Sequence, residues 1–380
     1  MTSRQAAVAA LAPALVLAAC GPRGALPVAT AQSIAERYQW VPRSGASSEG
    51  VDYAALATRR GAARTIPYYS GSIKSPLDGK THDYEIAGSD PKRTTGVTKI
   101  PYLPIVLVIK FSNGTVLDPR KPGCGDTVSV ADRFFEGPNF VATPLDSNGV
   151  NVGRVQLTDG FQRAEFWRIL KSRNYHTVFA AVRTPLVLHV DAPKDAGTVK
   201  GVCAGNDHSV GVIGLGAYYA MTKRIVTKHA TPMEVPVLLT YNVFEDDSSG
   251  CCVAGFHSAF GRPSGTQVFA TAAYSDAGLF RSEIEDVAIG THELGELLND
   301  PFVGNATPAW GHIGQVSGCQ SDLEVGDPLT GTEFVHVYHG YAYHPQELAF
   351  FSWFFRTHPT GTGGLYSFKG TLKGVEGKCA

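Results

Sequence analysis

Residues 282–298 read SEIEDVAIGTHELGELL, and the fold turns on the period of that stretch. Ile284, Val287, Ala288, Thr291, Leu294, Gly295 and Leu298 recur at the i, i+3, i+4, i+7 spacing of one helical face, which predicts a helix from Ser282 to Leu298. Ser282, with Glu285 three positions on, fits a capping box at its start. Asn299-Asp300-Pro301 stops it, because proline cannot continue a helix and disfavours helical geometry in the residue before it. His292 and Glu296 then stack one turn apart on one side, beside the apolar stripe.

Two donors so placed can reach one ion. The pattern His292-Glu293-Leu294-Gly295-Glu296 has the geometry of the zincin H-E-x-x-H helix with glutamate in place of the second histidine. One histidine plus carboxylates makes a harder site, acceptable to Zn2+ and also to other divalent ions. Glu293 is placed to act as general base beside the ligands. A third ligand is sought in Leu323-Glu324-Val325-Gly326-Asp327-Pro328. Glu324 is the first choice, and Asp327 is either the ligand or a carboxylate orienting His292 through its other ring nitrogen. The competing reading makes Glu285, His292 and Glu296 a solvated polar face. Hydrophobic flanks, including the small Ala288 and Gly295, and the acidic motif downstream favour the metal.

Working outward, Ile105-Val106-Leu107-Val108-Ile109 is a continuous apolar run bounded by Pro104 and Asn113-Gly114, as a central strand should be. Leu157 to Leu170 predicts a helix capped by Thr158 or Asp159. Thr184 to Val190 and Val235 to Phe244 read as strands, with a helix near Gly211 to Thr227 between them. A Gly- and Ser-rich loop spans Asp246 to Gly265, and Gln346-Glu347 reads as a helix start. Residues 21–95 read as a linker followed by irregular or edge structure. The expected fold is α/β (α+β) and loop-rich, one zincin-like domain over residues 96–380 with a mixed sheet packed on the His292 helix.

Composition narrows the class. The chain is 43% hydrophobic and 18% charged, which excludes a disordered protein, and its net charge of −1 gives no footprint for nucleic acid or anionic membrane. Residues 1–20 read as an export signal: Arg4 precedes an uncharged run from Ala6 to Ala19, too short to span a bilayer. Leu17-Ala18-Ala19-Cys20-Gly21 resembles the lipobox of bacterial lipoproteins, implying an acyl anchor at Cys20, while Ala29-Thr30-Ala31 offers an ordinary cleavage site instead. Membrane contact is expected only through that anchor. Six cysteines remain: Cys124, Cys203, Cys251, Cys252, Cys319 and Cys379. An exported chain can join them in up to three disulfides, and the adjacent Cys251-Cys252 reads as structural before metal-binding or redox-active.

THELGELLNDP at residues 291–301, then Ala309-Trp310 and LEVGD at residues 323–327, resemble the H-E-L-A-E, N-P, W, E-I-G-D pattern of the Exordium-like, or phosphate-induced, secreted family. TDGFQRAEFW, GFHSAF at residues 255–260 and YHPQELAFFSWF at residues 343–354 are similar to its bacterial relatives, so the likeness covers roughly residues 100–372. The resemblance implies an extracellular or cell-wall protein with a zincin-type site. His292, Glu296 and the Glu324–Asp327 segment would be metal ligands and Glu293 the base. Pro328 departs from the plant pattern, where a cysteine follows nearby, which implies a bridge made differently, through Cys319. His257 and His344 read first as structural histidines, and Tyr341 and Tyr343 as packing residues rather than oxyanion donors. The leading expectation is a secreted or lipid-anchored metal-dependent peptidase acting on a peptide or cell-envelope substrate. The alternative is a non-catalytic cell-surface binding or structural protein with a structural ion or none. Hydrolysis of a glycan or ester is weaker, for want of a convincing carboxylate pair.

Overall fold

Ile105, Leu107 and Ile109 are fully buried, as are Val106 and Val108 to within a few per cent, and the strand they form is the axis of the molecule. In the computed structural model, which describes residues 64–201, 203, 208–247, 250–280, 284–375 and 379, that strand runs Gly96–Lys110 (β1). Burying each such side chain contributes about 1.5–3 kcal/mol, enough to fix the run at the centre of a sheet.

The helix Leu157–Glu165 (α1) leads into Tyr175–Ala181 (β2), which pairs in parallel with the first half of β1. Leu186–Asp191 (β3) pairs with its second half on the same edge. On the other edge lie Val235–Tyr241 (β4), Gly255–Arg262 (β5) and Gly265–Tyr274 (β6) in the order β5-β6-β4-β1. All these pairs are parallel except β5 with β6, an antiparallel hairpin that makes β5 the edge strand. The class is therefore α+β with a mixed sheet, as the sequence leads one to expect. The helix Ala288–Asn299 (α2) packs across β6 and β5 and touches α1, which seals one face of the sheet.

Several boundaries differ from the sequence reading. The first helix ends at Glu165 and restarts as Trp167–Leu170, and its N-cap is Gln156, not Thr158 or Asp159. Asp159 is instead buried, accepting the Thr177 N–H at 2.9 Å and pairing with His176 at 2.7 Å. Ser209–Gly214 is a strand of a separate four-stranded sheet, and the helix expected near Gly211 runs Leu215–His229. The stretch Asp246 to Gly265, read as a loop, holds Gly250–Val253 and β5. Within the stretch read as linker and irregular or edge structure, Tyr68–Lys74 and Thr81–Ala87 form a hairpin whose Ile86 and Ala87 are fully buried. No helix starts at Gln346-Glu347, and the short helix there is Phe351–Phe354.

The six cysteines pair as Cys124–Cys203, Cys251–Cys252 and Cys319–Cys379. Cys20 and both cleavage sites lie outside the described residues, as does Ser282. Among the described residues, no helix is long and apolar enough to cross a membrane.

Candidate metal centre

α2 begins at Ala288, six residues after Ser282, because Asp286 cannot be helical: its φ is +44° and it forms a bridge with Ser275. The Asp286 carboxylate accepts the Val287 N–H, the His344 N–H at 3.0 Å and, at 2.9 Å, the His344 ring. Glu285 therefore stands outside the helix, beside His344 at 3.0 Å, and is no part of a capping box.

All twelve residues of α2 are buried, so its polar side is not a solvated face. Its apolar side meets the sheet, and its other side meets residues 323–329. Two glycines permit this. A Cβ on Gly295 would lie 2.4 Å from Leu348 Cδ1, and one on Gly326 would lie 2.5 Å from His292 Nδ1.

His292 Nε2 stands 3.1 Å from Glu296 Oε1 and 3.4 Å from Asp327 Oδ1. The donor atoms of these three residues lie within 4.8 Å of one another, at exposures of 5%, 3% and 0%. Gln346 Nε2 donates to the Gly326 carbonyl at 2.8 Å, which turns its Oε1 towards His292 Nδ1 at 3.1 Å. That contact makes Nδ1 the protonated nitrogen and leaves Nε2 facing the two carboxylates, the state a metal-bound imidazole requires. Glu296 Oε1 also accepts the Gly326 N–H at 3.1 Å, while Asp327 accepts from Gln315 and, at 3.1 Å, from Gln320. Both glutamines belong to the hairpin and turn built from Ala306–Ile313 and Val316–Asp322.

Of the two downstream acids, Asp327 is the one brought to His292. Glu324, the first choice from sequence, is 2% exposed but outside the donor triad, and its Oε2 has no hydrogen-bond partner among the described residues. Glu293 reaches sideways to β5, where its Oε2 lies 3.6 Å from His257 Nδ1, and Glu296 Oε2 lies 3.5 Å from the same atom.

Burial dominates the electrostatics. It pushes Glu293 up and raises Asp327 to about 7, with His292 opposing. Burial, then the charge of Glu296, holds Glu324 well above the carboxylate range. Burial would also raise Glu296, but the adjoining His292 and His257 outweigh it and hold the group well below. The histidines move the other way: burial pulls them down, yet the carboxylates raise His257 to about 10 and His292 well above its ordinary value. Each buried ionised group costs several kcal/mol unless compensated, and a divalent cation is one compensation that such carboxylates and imidazoles can accept.

Sequence reasoning gave Gln346, Gln315 and Gln320 no role at the site. Neutral amides follow no ligand spacing, and nothing short of the fold marks them. Tyr341 and Tyr343 pack against each other in a small hairpin near Arg133. The chain matches no family model, and comparison with curated proteins and with solved structures finds no similar protein.

Proposed function

We propose that the protein is a divalent-metal-dependent hydrolase that cleaves a peptide bond, with Zn2+ the favoured ion. The observation that carries this reading is the convergence of His292 Nε2, Glu296 and Asp327 with His292 Nδ1 anchored by Gln346. An ion in that setting polarises a carbonyl and makes water a nucleophile near neutral pH. Three protein ligands leave a further position for it. His292, Glu296 and Asp327 would hold the ion, Gln346 fixes the imidazole, and Glu293 would be the carboxylate that takes up the proton. The reading includes export, as a lipoprotein or a released protein, on the strength of the signal expected from the sequence, and the cysteine pairing suits an oxidising compartment. The resemblance read from THELGELLNDP and LEVGD to the Exordium-like pattern is an expectation in keeping with this reading.

The test is Glu293→Gln, assayed on a peptide library with metal content measured in parallel. The variant should lose about 10²- to 10⁴-fold in rate while the His292 ion stays bound. Full activity in the variant rejects the mechanism. A second reading, a structural ion in a non-catalytic cell-surface protein, is favoured by the depth of the ligands, none more than 5% exposed. Tight ion binding with no turnover of any peptide would select it.

A further inference from the structure

His257 sits on the edge strand β5, outside any spacing pattern with α2, yet its ring enters the same cluster. Its Nδ1 is 3.6 Å from Glu293 Oε2 and 3.5 Å from Glu296 Oε2, and all three residues are at most 7% exposed. Charged N–H···O bonds close to about 2.7–2.9 Å, so these gaps are too long for good hydrogen bonds. They match donors sharing an ion: ligands at about 2.0–2.2 Å in a tetrahedron stand about 3.3–3.6 Å apart.

We propose that His257, Glu293 and Glu296 form a second divalent-cation position, joined to the first by the Glu296 carboxylate. Glu296 presents Oε1 to His292 and Oε2 to His257, so one side chain faces both triads with different oxygens. When ionised, the three ligand carboxylates Glu293, Glu296 and Asp327 carry three negative charges in a buried volume, more than one divalent ion cancels. One independent observation points to a missing partner here: Glu245, 1% exposed and close enough to Glu293 to feel its charge, has an Oε2 with no hydrogen-bond partner among the described residues. Nitrogen and carboxylate donors select a borderline or hard divalent ion such as Zn2+ or Mn2+. Carboxylate-bridged pairs in hydrolases hold their ions about 3.5–4 Å apart.

The proposal rests on the reading that the His292 triad binds an ion, and it makes Glu293 a ligand as well as a proton acceptor. The experiment loads the folded, oxidised chain with Mn2+, removes the excess, and measures ions per chain together with the electron paramagnetic resonance spectrum. The wild type should hold two ions with an exchange-coupled spectrum. His257→Ala and Glu293→Gln should each hold one, with an uncoupled spectrum and unchanged far-ultraviolet circular dichroism. One uncoupled ion in the wild type, unchanged in His257→Ala, overturns the second position and leaves the first standing. Two ions retained in His257→Ala overturn the assignment of ligands, and none in the wild type overturns both readings. Should the variants not fold, the wild-type stoichiometry and coupling alone decide.

Discussion

Gln346→Leu isolates the orientation of His292 from the ligands themselves. The wild-type amide is fixed at both ends, its Nε2 on the Gly326 carbonyl at 2.8 Å and its Oε1 on His292 Nδ1 at 3.1 Å, at 3% exposure. Leucine has similar bulk but no acceptor, so the imidazole loses the contact that selects its tautomer, and the Gly326 carbonyl loses its donor. Partners of this kind are worth about 10- to 100-fold in metal affinity, or about 1.4–2.7 kcal/mol. Competition titration against a chelator of known strength, at fixed pH, measures the shift directly. Circular dichroism and the melting temperature of the apoprotein separate loss of the contact from loss of the fold. An affinity within twofold of wild type, in a variant that folds, would refute the argument that Gln346 presents the ligand nitrogen.

Four further outcomes follow from the same geometry. Gly326→Ala forces a methyl group to within 2.5 Å of His292 Nδ1, so it should cost about 1–3 kcal/mol of stability and lower the affinity for the ion, measured by thermal melts with and without metal. The apoprotein keeps protons on donor groups that a cation must displace, with Asp327 raised to about 7 and both histidines raised. Binding should therefore release protons and weaken by about tenfold per pH unit for each proton as pH falls, and equal calorimetric heats in buffers of different ionisation enthalpy would disprove it. Asp126 is pulled down to about 2 by its bonds from Arg133, at 2.6 Å and 2.8 Å. A depressed carboxylate stabilises the fold above its ordinary value and stops doing so as pH falls towards 2, so Asp126→Asn should cost about 1–2 kcal/mol at pH 7, discounted for partial exposure, and almost nothing near pH 2. Removing Cys319–Cys379, which closes a separation of 60 residues, should cost up to about 4 kcal/mol in the chain-entropy account, read from urea unfolding of the double serine variant.

The central strand and the site helix could be read from sequence because each carries its own period. Five consecutive apolar residues from Ile105 can be satisfied only inside a sheet, and the i, i+4 spacing of His292 and Glu296 holds whatever surrounds them. What escaped depends on the other face of each element. β5 is buried on both faces from Gly255 to Phe260 and contains no β-branched residue, so GFHSAF shows no alternation and only its two phenylalanines favour a strand. α2 starts at Ala288 and not at Ser282 because Ile284 keeps the helical period by chance while Asp286 turns the chain. The choice between Glu324 and Asp327 rests on the 3-10 turn Asp327–Leu329, which aims one acid and not the other at His292, and composition cannot encode that.

The donor atoms lie under a roof made partly by the Ala306–Asp322 hairpin, whose residues 315 and 320 hold Asp327. With those donors at most 5% exposed, a carbonyl group or an ion of the proposed reading needs a local opening to reach them. Catalytic turnover and ion exchange would then share one rate ceiling, the frequency of a local excursion. A protein that merely stores its ion gains from making that excursion rare, whereas an enzyme needs it at least as often as it turns over.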